Sequence, residues 1–207
     1  MLVVCASVAA AAWGQKWEVG GAVGGGFYTS SDIPAPGSAS SAAATIQTNL
    51  QGSVWLGNDN PGKWGGELRY DYQMGDLHLS QGSTGASFAA HSQAIHYDLL
   101  WNFLGSEAPV QPFLAVGAGI KIFQGTGTQV VYQPLSNFAL LTQAQDLVPM
   151  ASAGAGLKFK IAPHVNLRLD IHDYLTPFPK QVITPVSGKT PSWLQDFVPS
   201  AGLSFVF

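Results

Sequence analysis

Residues 64–74 read WGGELRYDYQM, and in this stretch the chemistry of the side chains changes at every second position. One set of alternate positions is aromatic or apolar and consists of Trp64, Leu68, Tyr70, Tyr72 and Met74. The positions between them carry Glu67, Arg69, Asp71 and Gln73. A period of two predicts a β-strand, because successive side chains of a strand point to opposite faces. The strand therefore separates an apolar surface from a charged one.

Seven further runs show the same alternation, and they cover residues 17–28, 44–56, 92–103, 112–123, 151–161, 165–172 and 197–207. Most are about 10 residues long, which is the length that a tilted strand needs to cross a bilayer. An even number of strands returns the last strand to the first, so the sheet can close. Closure is required because lipid cannot hydrogen-bond an open backbone edge. The sequence thus predicts an all-β fold, a closed eight-stranded antiparallel up-and-down transmembrane β-barrel.

The composition fits this prediction better than it fits a soluble domain. Only 10% of the residues are charged, against about 25% in an average soluble domain. Beyond the N-terminus, no stretch approaches the roughly 18 consecutive apolar residues of a membrane helix. The net charge is −3, which gives no indication of nucleic-acid binding.

One choice of strand parity places the charges of six runs on one face and leaves the other face of all eight runs uncharged across the span. We assign the charged face to the lumen, where Lys16, Glu18 and Lys160 join the main set of Glu67, Arg69, Asp71, Asp98, Lys121, Lys158, Arg168 and Asp170. A soluble lipocalin-like barrel would need apolar residues inside. The interior of an eight-stranded barrel is just wide enough for side chains to fill it. We therefore expect these charges to pair as a structural polar core, and Arg69 to pair with at least one acid.

The same charges allow a second interpretation, which is a narrow ion path or gate. Small residues on the inner face would leave space that water could occupy, namely Gly20, Ala22, Gly24, Gly117, Gly154 and Gly156. The sequence alone does not exclude this alternative.

The connections between the runs alternate in length. The long ones cover residues 29–43, 75–87, 124–147 and 175–196, and long loops of such barrels lie outside the cell. Residues 136–141 are predicted either to form a short helix or to extend the adjacent strands.

Aromatic girdles are predicted at both interfaces, with Trp17, Trp64, Trp101 and Phe207 at the short-turn end and Phe27, Tyr72 and Phe197 at the other.

The N-terminus predicts export. Residues 1–12 read MLVVCASVAAAA, and Ala12-Trp13-Gly14 supplies the small residues of a signal-peptidase site. We expect a signal peptide over residues 1–14 and the mature barrel over 15–207. The basic start of such a signal is missing, so we expect the true translation start to lie upstream. Cys5 would be removed with the signal, which leaves no cysteine for a disulfide.

The C-terminus reads AGLSFVF over residues 201–207, and its alternate apolar positions ending in Phe205 and Phe207 resemble the assembly signal of outer-membrane proteins. Residues 112–119, PFLAVGAG, are similar to a strand common in OmpA-like eight-stranded barrels, and 157–174 are similar to their sixth and seventh strands. The mature chain thus resembles the OmpA-like eight-stranded outer-membrane β-barrel family, in its barrel domain only, without the periplasmic peptidoglycan-binding domain. The resemblance implies a bacterial outer-membrane location, with the lipid bilayer and the outer-membrane assembly machinery as partners.

For function we expect a non-enzymatic, monomeric barrel that serves membrane integrity or surface-loop interactions. The alternatives are a narrow channel or transporter for small or apolar solutes and, less favoured, a rim enzyme acting on lipid. His91 and Ser92 are adjacent and so point to opposite faces, as do His172 and Asp173. His91 and His96 also point opposite ways, which argues against a two-histidine metal site there. We therefore expect no catalytic residues, no metal and no cofactor.

Overall fold

The structure is a computed structural model that describes residues 16–58, 62–105, 108–130, 132–189 and 193–207. The predicted signal peptide, residues 1–14, lies outside the described residues. The strands are β1 (Trp17–Tyr28), β2 (Ser31–Pro34), β3 (Ser41–Ile46), β4 (Asn49–Asn58), β5 (Trp64–Met74), β6 (Leu77–Gln81), β7 (Thr84–Phe88), β8 (Ala90–Asn102), β9 (Val110–Gly125), β10 (Ala139–Leu141), β11 (Gln145–Ala162), β12 (Val165–Pro177), β13 (Ile183–Pro185) and β14 (Trp193–Val206). Within these ranges there is no helix with the length and hydropathy needed to span a membrane.

Eight of the strands close into a barrel in the order β1-β14-β12-β11-β9-β8-β5-β4. Neighbouring strands are antiparallel throughout, and β1 pairs with both β4 and β14 to complete the ring. The predicted all-β fold, the closed antiparallel barrel and its count of eight strands are confirmed. The alternation of the sequence supplies the reason, because each barrel strand buries every second side chain inside the ring.

The outer surface of the barrel is an apolar belt. Leu68 is 52% exposed while its neighbour Arg69 is 0% exposed, so the parity chosen from the sequence is the one that the structure adopts. Among the outward positions of the described barrel strands, the one charged residue is Asp173, which lies opposite Phe197 near the end with the long connections. An uncharged belt with charges inside is the arrangement of a transmembrane barrel.

Aromatic side chains mark both ends of this belt. Trp64 lies opposite Trp101, and their rings stack at 6.3 Å between centroids. At the other end Phe27 lies opposite Phe197. Tyr72 lies on the same outer face, on β5, which is two strands away from β1. All the predicted girdle residues are exposed on the outside, which is where amphipathic rings meet the interface between lipid and water.

Parts of the long connections fold into strands of their own. Strands β2, β3, β6 and β7 form a separate four-stranded sheet, and β10 pairs with β13. We call these six strands, together with the adjoining segments that lie outside the barrel strands, the cap. Its apolar core includes Ile33, Leu79 and Phe138, and it packs against inward residues at the end of the barrel, such as Phe123 and Leu194. The cap therefore closes one end of the barrel with an apolar core.

Two sequence-based assignments change with the cap. Ala44 and Ile46 were placed in the second membrane strand, but they belong to β3 and are buried in the cap core. Residues 136–141 form neither the short helix nor a continuation of a barrel strand, because Ala139–Leu141 is the short strand β10. Alternation identifies a strand but does not say which sheet the strand joins, which is why both assignments were incomplete.

Candidate functional site: the charged lumen

The centre of the lumen is spanned by ion pairs between strands on opposite sides of the ring. Strands β5 and β12 are four positions apart in the closed order of eight, so they face each other across the interior. Arg168 of β12 donates to both carboxylate oxygens of Glu67 on β5, at 2.5 and 2.9 Å. Arg69 of β5 donates in turn to Asp170 of β12 at 3.2 Å. Two reciprocal pairs thus cross the full width of the barrel.

Arg69 is held by more than this one acid. Its Nε donates to Asp71 Oδ1 at 3.2 Å, and its Nη1 lies 3.6 Å from Glu67 Oε1. Its Nη2 donates to Ser53 Oγ at 3.0 Å. The guanidinium is therefore surrounded by carboxylates and hydroxyls, which offsets the cost of removing its charge from water.

Aromatic rings fill the space beside the two arginines. Trp55 faces inward, with the guanidinium carbons of Arg168 and Arg69 at 4.7 and 5.3 Å from its ring centroid. Phe113 lies 4.5 Å from Arg168 in the same way. These cation–π contacts add attraction that does not depend on a carboxylate, and they occupy volume that an ion path would need.

Two histidines join the central group of charges. His96 Nε2 lies 2.9 Å from Asp71 Oδ2, and His96 Nδ1 lies 3.0 Å from Asp98 Oδ1. His172 lies on the other side of Asp98, with 3.5 Å between Nε2 and Asp98 Oδ2. The sequence does not predict this group, because its members come from three different strands and no local spacing connects them.

One ion pair lies toward each end of the lumen. Lys158 donates to Glu18 at 2.5 Å, and Lys121 donates to Asp196 at 2.6 Å. Asp196 was assigned to a long connection, although it shares the inward parity of Ser200 in the same strand. That shared parity is the signal that would have identified it.

All eight predicted lumen residues lie inside the barrel, each at most 8% exposed. Lys160 and Lys16, which share their parity, are exposed at the end with the short turns.

At the opposite end of the lumen, Lys121 lies over the ring of Tyr28 at 4.8 Å and over Phe123 at 5.5 Å. Because Phe123 belongs to the cap core, the charged lumen passes directly into apolar packing at this end.

The small residues of the inner face do not leave open space. A Cβ added at Gly154 would meet the ring of His172, at 2.7 Å from Cδ2 and 2.9 Å from Nε2. A Cβ at Gly156 would meet the ring of Phe113, and one at Gly20 would meet Trp55. The expectation that water occupies the room beside these glycines is therefore wrong at these positions. The glycines make room for large side chains from other strands.

Comparisons with known proteins agree with this architecture. No protein-family model and no curated protein sequence matches the chain. Among solved structures, neisserial surface protein A superposes with a TM-score of 0.55 at 11% identity, and the match covers 93% of this chain and 97% of that one. The outer membrane protein OprG from Pseudomonas aeruginosa gives a TM-score of 0.54 at 15% identity, over 93% of this chain and 96% of that one. The closed ring, the uncharged belt and these superpositions together show that the chain has the fold of the eight-stranded bacterial outer-membrane β-barrels.

Proposed function

We propose that this outer-membrane barrel is a non-conducting, non-enzymatic membrane anchor that holds a folded cap at the cell surface, for membrane integrity or for interactions of the cap. The observation that carries the proposal is the pair of ion bridges between β5 and β12, Glu67 with Arg168 and Arg69 with Asp170. They join opposite walls of the barrel. Opening a path would require these pairs to separate, and removing one partner of a buried pair typically costs about 3–5 kcal/mol.

The packing above these bridges supports a closed lumen. The largest wholly buried side chains of the molecule include Arg69, Arg168, Tyr174, Phe113, Lys121 and Lys158, which all point into the barrel. The cap adds an apolar core over the end of the barrel with the long connections. A solute would have to displace both layers, so the second candidate function, a narrow channel, has less support.

The cap supports a role in display. Loops that only joined strands would have little reason to bury apolar side chains, yet Ile33, Leu79 and Val182 are each 0% exposed. Their burial fixes the two small sheets as folded units, because apolar burial is the main favourable term in folding. A folded surface can be recognised without the entropy cost of ordering a flexible loop. We accordingly propose the cap as the surface that meets partners outside the membrane.

An enzymatic role has little support from the side chains present. On the cap, His78 Nδ1 lies 2.9 Å from Ser87 Oγ, which is the spacing of a base and a nucleophile. A working triad also needs a third group to orient the histidine. Within the described residues, no carboxylate contacts His78 in this arrangement. We therefore propose that the protein is not an enzyme.

Conductance across planar bilayers tests the closed lumen. The wild-type barrel should show no steady single-channel steps. Because the cap also closes one end, the double variant Glu67→Ala with Arg168→Ala is made in a chain whose cap core is opened by Leu79→Ala. Removing one bridge together with both charges should then admit a measurable ion current. The matched control, Leu68→Ala with Leu169→Ala, changes the outward neighbours on the same two strands and should stay silent. Steady conductance of the wild type would instead establish the channel alternative.

A further inference from the structure

The charges at the centre of the lumen do not balance. Toward each end of the lumen one lysine is paired with one acid, Lys158 with Glu18 and Lys121 with Asp196. The described centre has four carboxylates and two arginines: Glu67, Asp71, Asp98, Asp170, Arg69 and Arg168. Two negative charges there have no permanent cation, and the remaining ionisable groups beside them are His96 and His172.

His96 contacts two of these carboxylates. Each of its ring nitrogens lies at hydrogen-bond distance from a carboxylate, Nε2 from Asp71 and Nδ1 from Asp98. His96 thus covers the Oδ1 side of Asp98, and the Oδ2 side of the same carboxylate faces His172.

The atoms on that side lack hydrogen bonds. Among the described residues, Asp98 Oδ2 and both ring nitrogens of His172 have no hydrogen-bond partner. The nearest acceptors to His172 are Asp98 Oδ2 at 3.5 Å from Nε2 and Asp170 Oδ1 at 3.8 Å from Nδ1, beyond the usual 2.7–3.2 Å range of N–H···O bonds. Both residues are wholly buried. Buried polar atoms are normally satisfied, so these atoms are in place to take a further partner.

The spacing of these atoms would allow one ion to contact all three residues. Glu67, Asp98 and His172 each offer one ligand atom, and the three atoms lie within 4.8 Å of one another. Two tetrahedral ligands bonded to zinc at about 2.1 Å are about 3.4 Å apart. The 3.5 Å between His172 Nε2 and Asp98 Oδ2 is close to that value. We propose that Glu67, Asp98 and His172 bind a divalent transition-metal ion at the centre of the lumen.

The donor types select the class of ion. An imidazole nitrogen with two carboxylates suits zinc and its first-row neighbours, whereas calcium and magnesium prefer ligands that are all oxygen. The proposal departs from the sequence-based expectation of no metal. The three residues come from β5, β8 and β12, so no local spacing motif in the sequence connects them.

The surroundings position the ligands. Arg168 holds both oxygens of Glu67, and a carboxylate has further lone pairs with which it can contact an ion. Outer partners of this kind orient metal ligands. Gly154 leaves the space in which the His172 ring lies, and Gly117 does the same for Asp98. The two arginines repel a cation, but the four carboxylates of the same group outweigh them.

The test starts from the unfolded protein, because buried ligands would take up an ion as the barrel closes. Urea-denatured protein is refolded into detergent with Co²⁺ or Zn²⁺, desalted, and assayed for metal per folded chain. We expect one retained ion and, with Co²⁺, the intense visible absorption of a site with four or five ligands. Mg²⁺ supplied in the same way should not be retained. Folded wild-type protein that retains neither Zn²⁺ nor Co²⁺ overturns the proposal.

Two variants locate the ion. His172→Gln should lower metal retention by at least the roughly tenfold that loss of an outer partner costs. The control His164→Gln changes an exposed histidine whose Nδ1 lies 3.0 Å from the Val206 carbonyl oxygen, so it should retain the ion. Equal losses in the two variants would place the ion elsewhere and refute the site. If His172→Gln does not fold, as judged by heat-modifiable mobility, the wild-type cobalt spectrum decides, because a purely aqueous, octahedral spectrum also refutes the site.

Discussion

Trp17 and Phe207 exchange two backbone hydrogen bonds, each of 2.9 Å, one from Trp17 N to the Phe207 carbonyl and one in the opposite direction. This exchange joins the first residue of β1 to the last residue of the chain. It completes the seam between β1 and β14 at the end with the short turns. The side chain of Phe207 is exposed on the outer belt, so the residue both closes the ring and presents an aromatic side chain to the interface.

This position predicts the effect of changes at the C-terminus. Phe207→Ala should lower the yield of folded protein in the outer membrane, because it removes the last aromatic position of the proposed assembly signal. Deleting residues 206–207 should be worse, since Val206 also donates to the His164 carbonyl at 2.9 Å. The readout is heat-modifiable protein in outer-membrane fractions. Phe103→Ala, another exposed aromatic side chain near the same end, is the control. Normal yields from both C-terminal changes would contradict the assignment.

The cap should be separable from the barrel in stability. Leu79 is wholly buried in the cap core, and replacing a buried leucine by alanine typically costs about 2–5 kcal/mol. Leu79→Ala should therefore expose the cap to protease in intact cells, while the barrel keeps its heat-modifiable mobility. Leu140→Ala truncates a leucine that is exposed on β10 and should leave the cap resistant. Equal protease sensitivity of the two variants would show that the cap core contributes little.

The pair between Lys121 and Asp196 should behave as a coupled unit. Lys121→Met leaves the Asp196 carboxylate buried with Gln73 as its remaining side-chain hydrogen-bond donor, and loss of one partner of such a pair costs about 3–5 kcal/mol. Adding Asp196→Asn removes the stranded charge, so the double variant should recover part of that loss. Urea unfolding in detergent measures all three proteins. Lys160→Met, at an exposed position of the same parity, is the control, and additive losses in the double variant would disprove the coupling.

The sequence predicts the barrel well because one rule, alternation against lipid, acts on every barrel strand. Ala44 and Ile46 of β3 alternate just as they would in a membrane strand. Alternation therefore cannot distinguish a cap strand from a barrel strand, and the cap was not predicted. The site is harder to predict for a different reason. The contact between Glu67 and Arg168 depends on which strands face each other across a closed ring. His172 and Asp98 meet only after the shear of the barrel has set their levels, and alternation carries no information on shear.

The assignment of inside and outside is tested by two adjacent residues of β5. Leu68 faces outward and Arg69 inward. A charge placed outward costs about 2–4 kcal/mol near the bilayer midplane, so Leu68→Arg should destabilise the barrel in liposomes. Arg69→Leu should destabilise it as well, because Asp71 and Asp170 lose a shared partner.

The two variants differ in their response to the surrounding medium, which makes the comparison decisive. Breaking a buried pair costs about 3–5 kcal/mol, and Arg69→Leu should fall in that range. That cost arises inside the ring, so it should be similar in liposomes and in detergent. The cost of Leu68→Arg arises from lipid and should shrink in small detergent micelles, where water reaches the belt more easily. Unfolding of both variants by urea in the two media measures this difference. A harmless Leu68→Arg together with a stabilising Arg69→Leu would mean that inside and outside are exchanged, and the transmembrane assignment would fall with them.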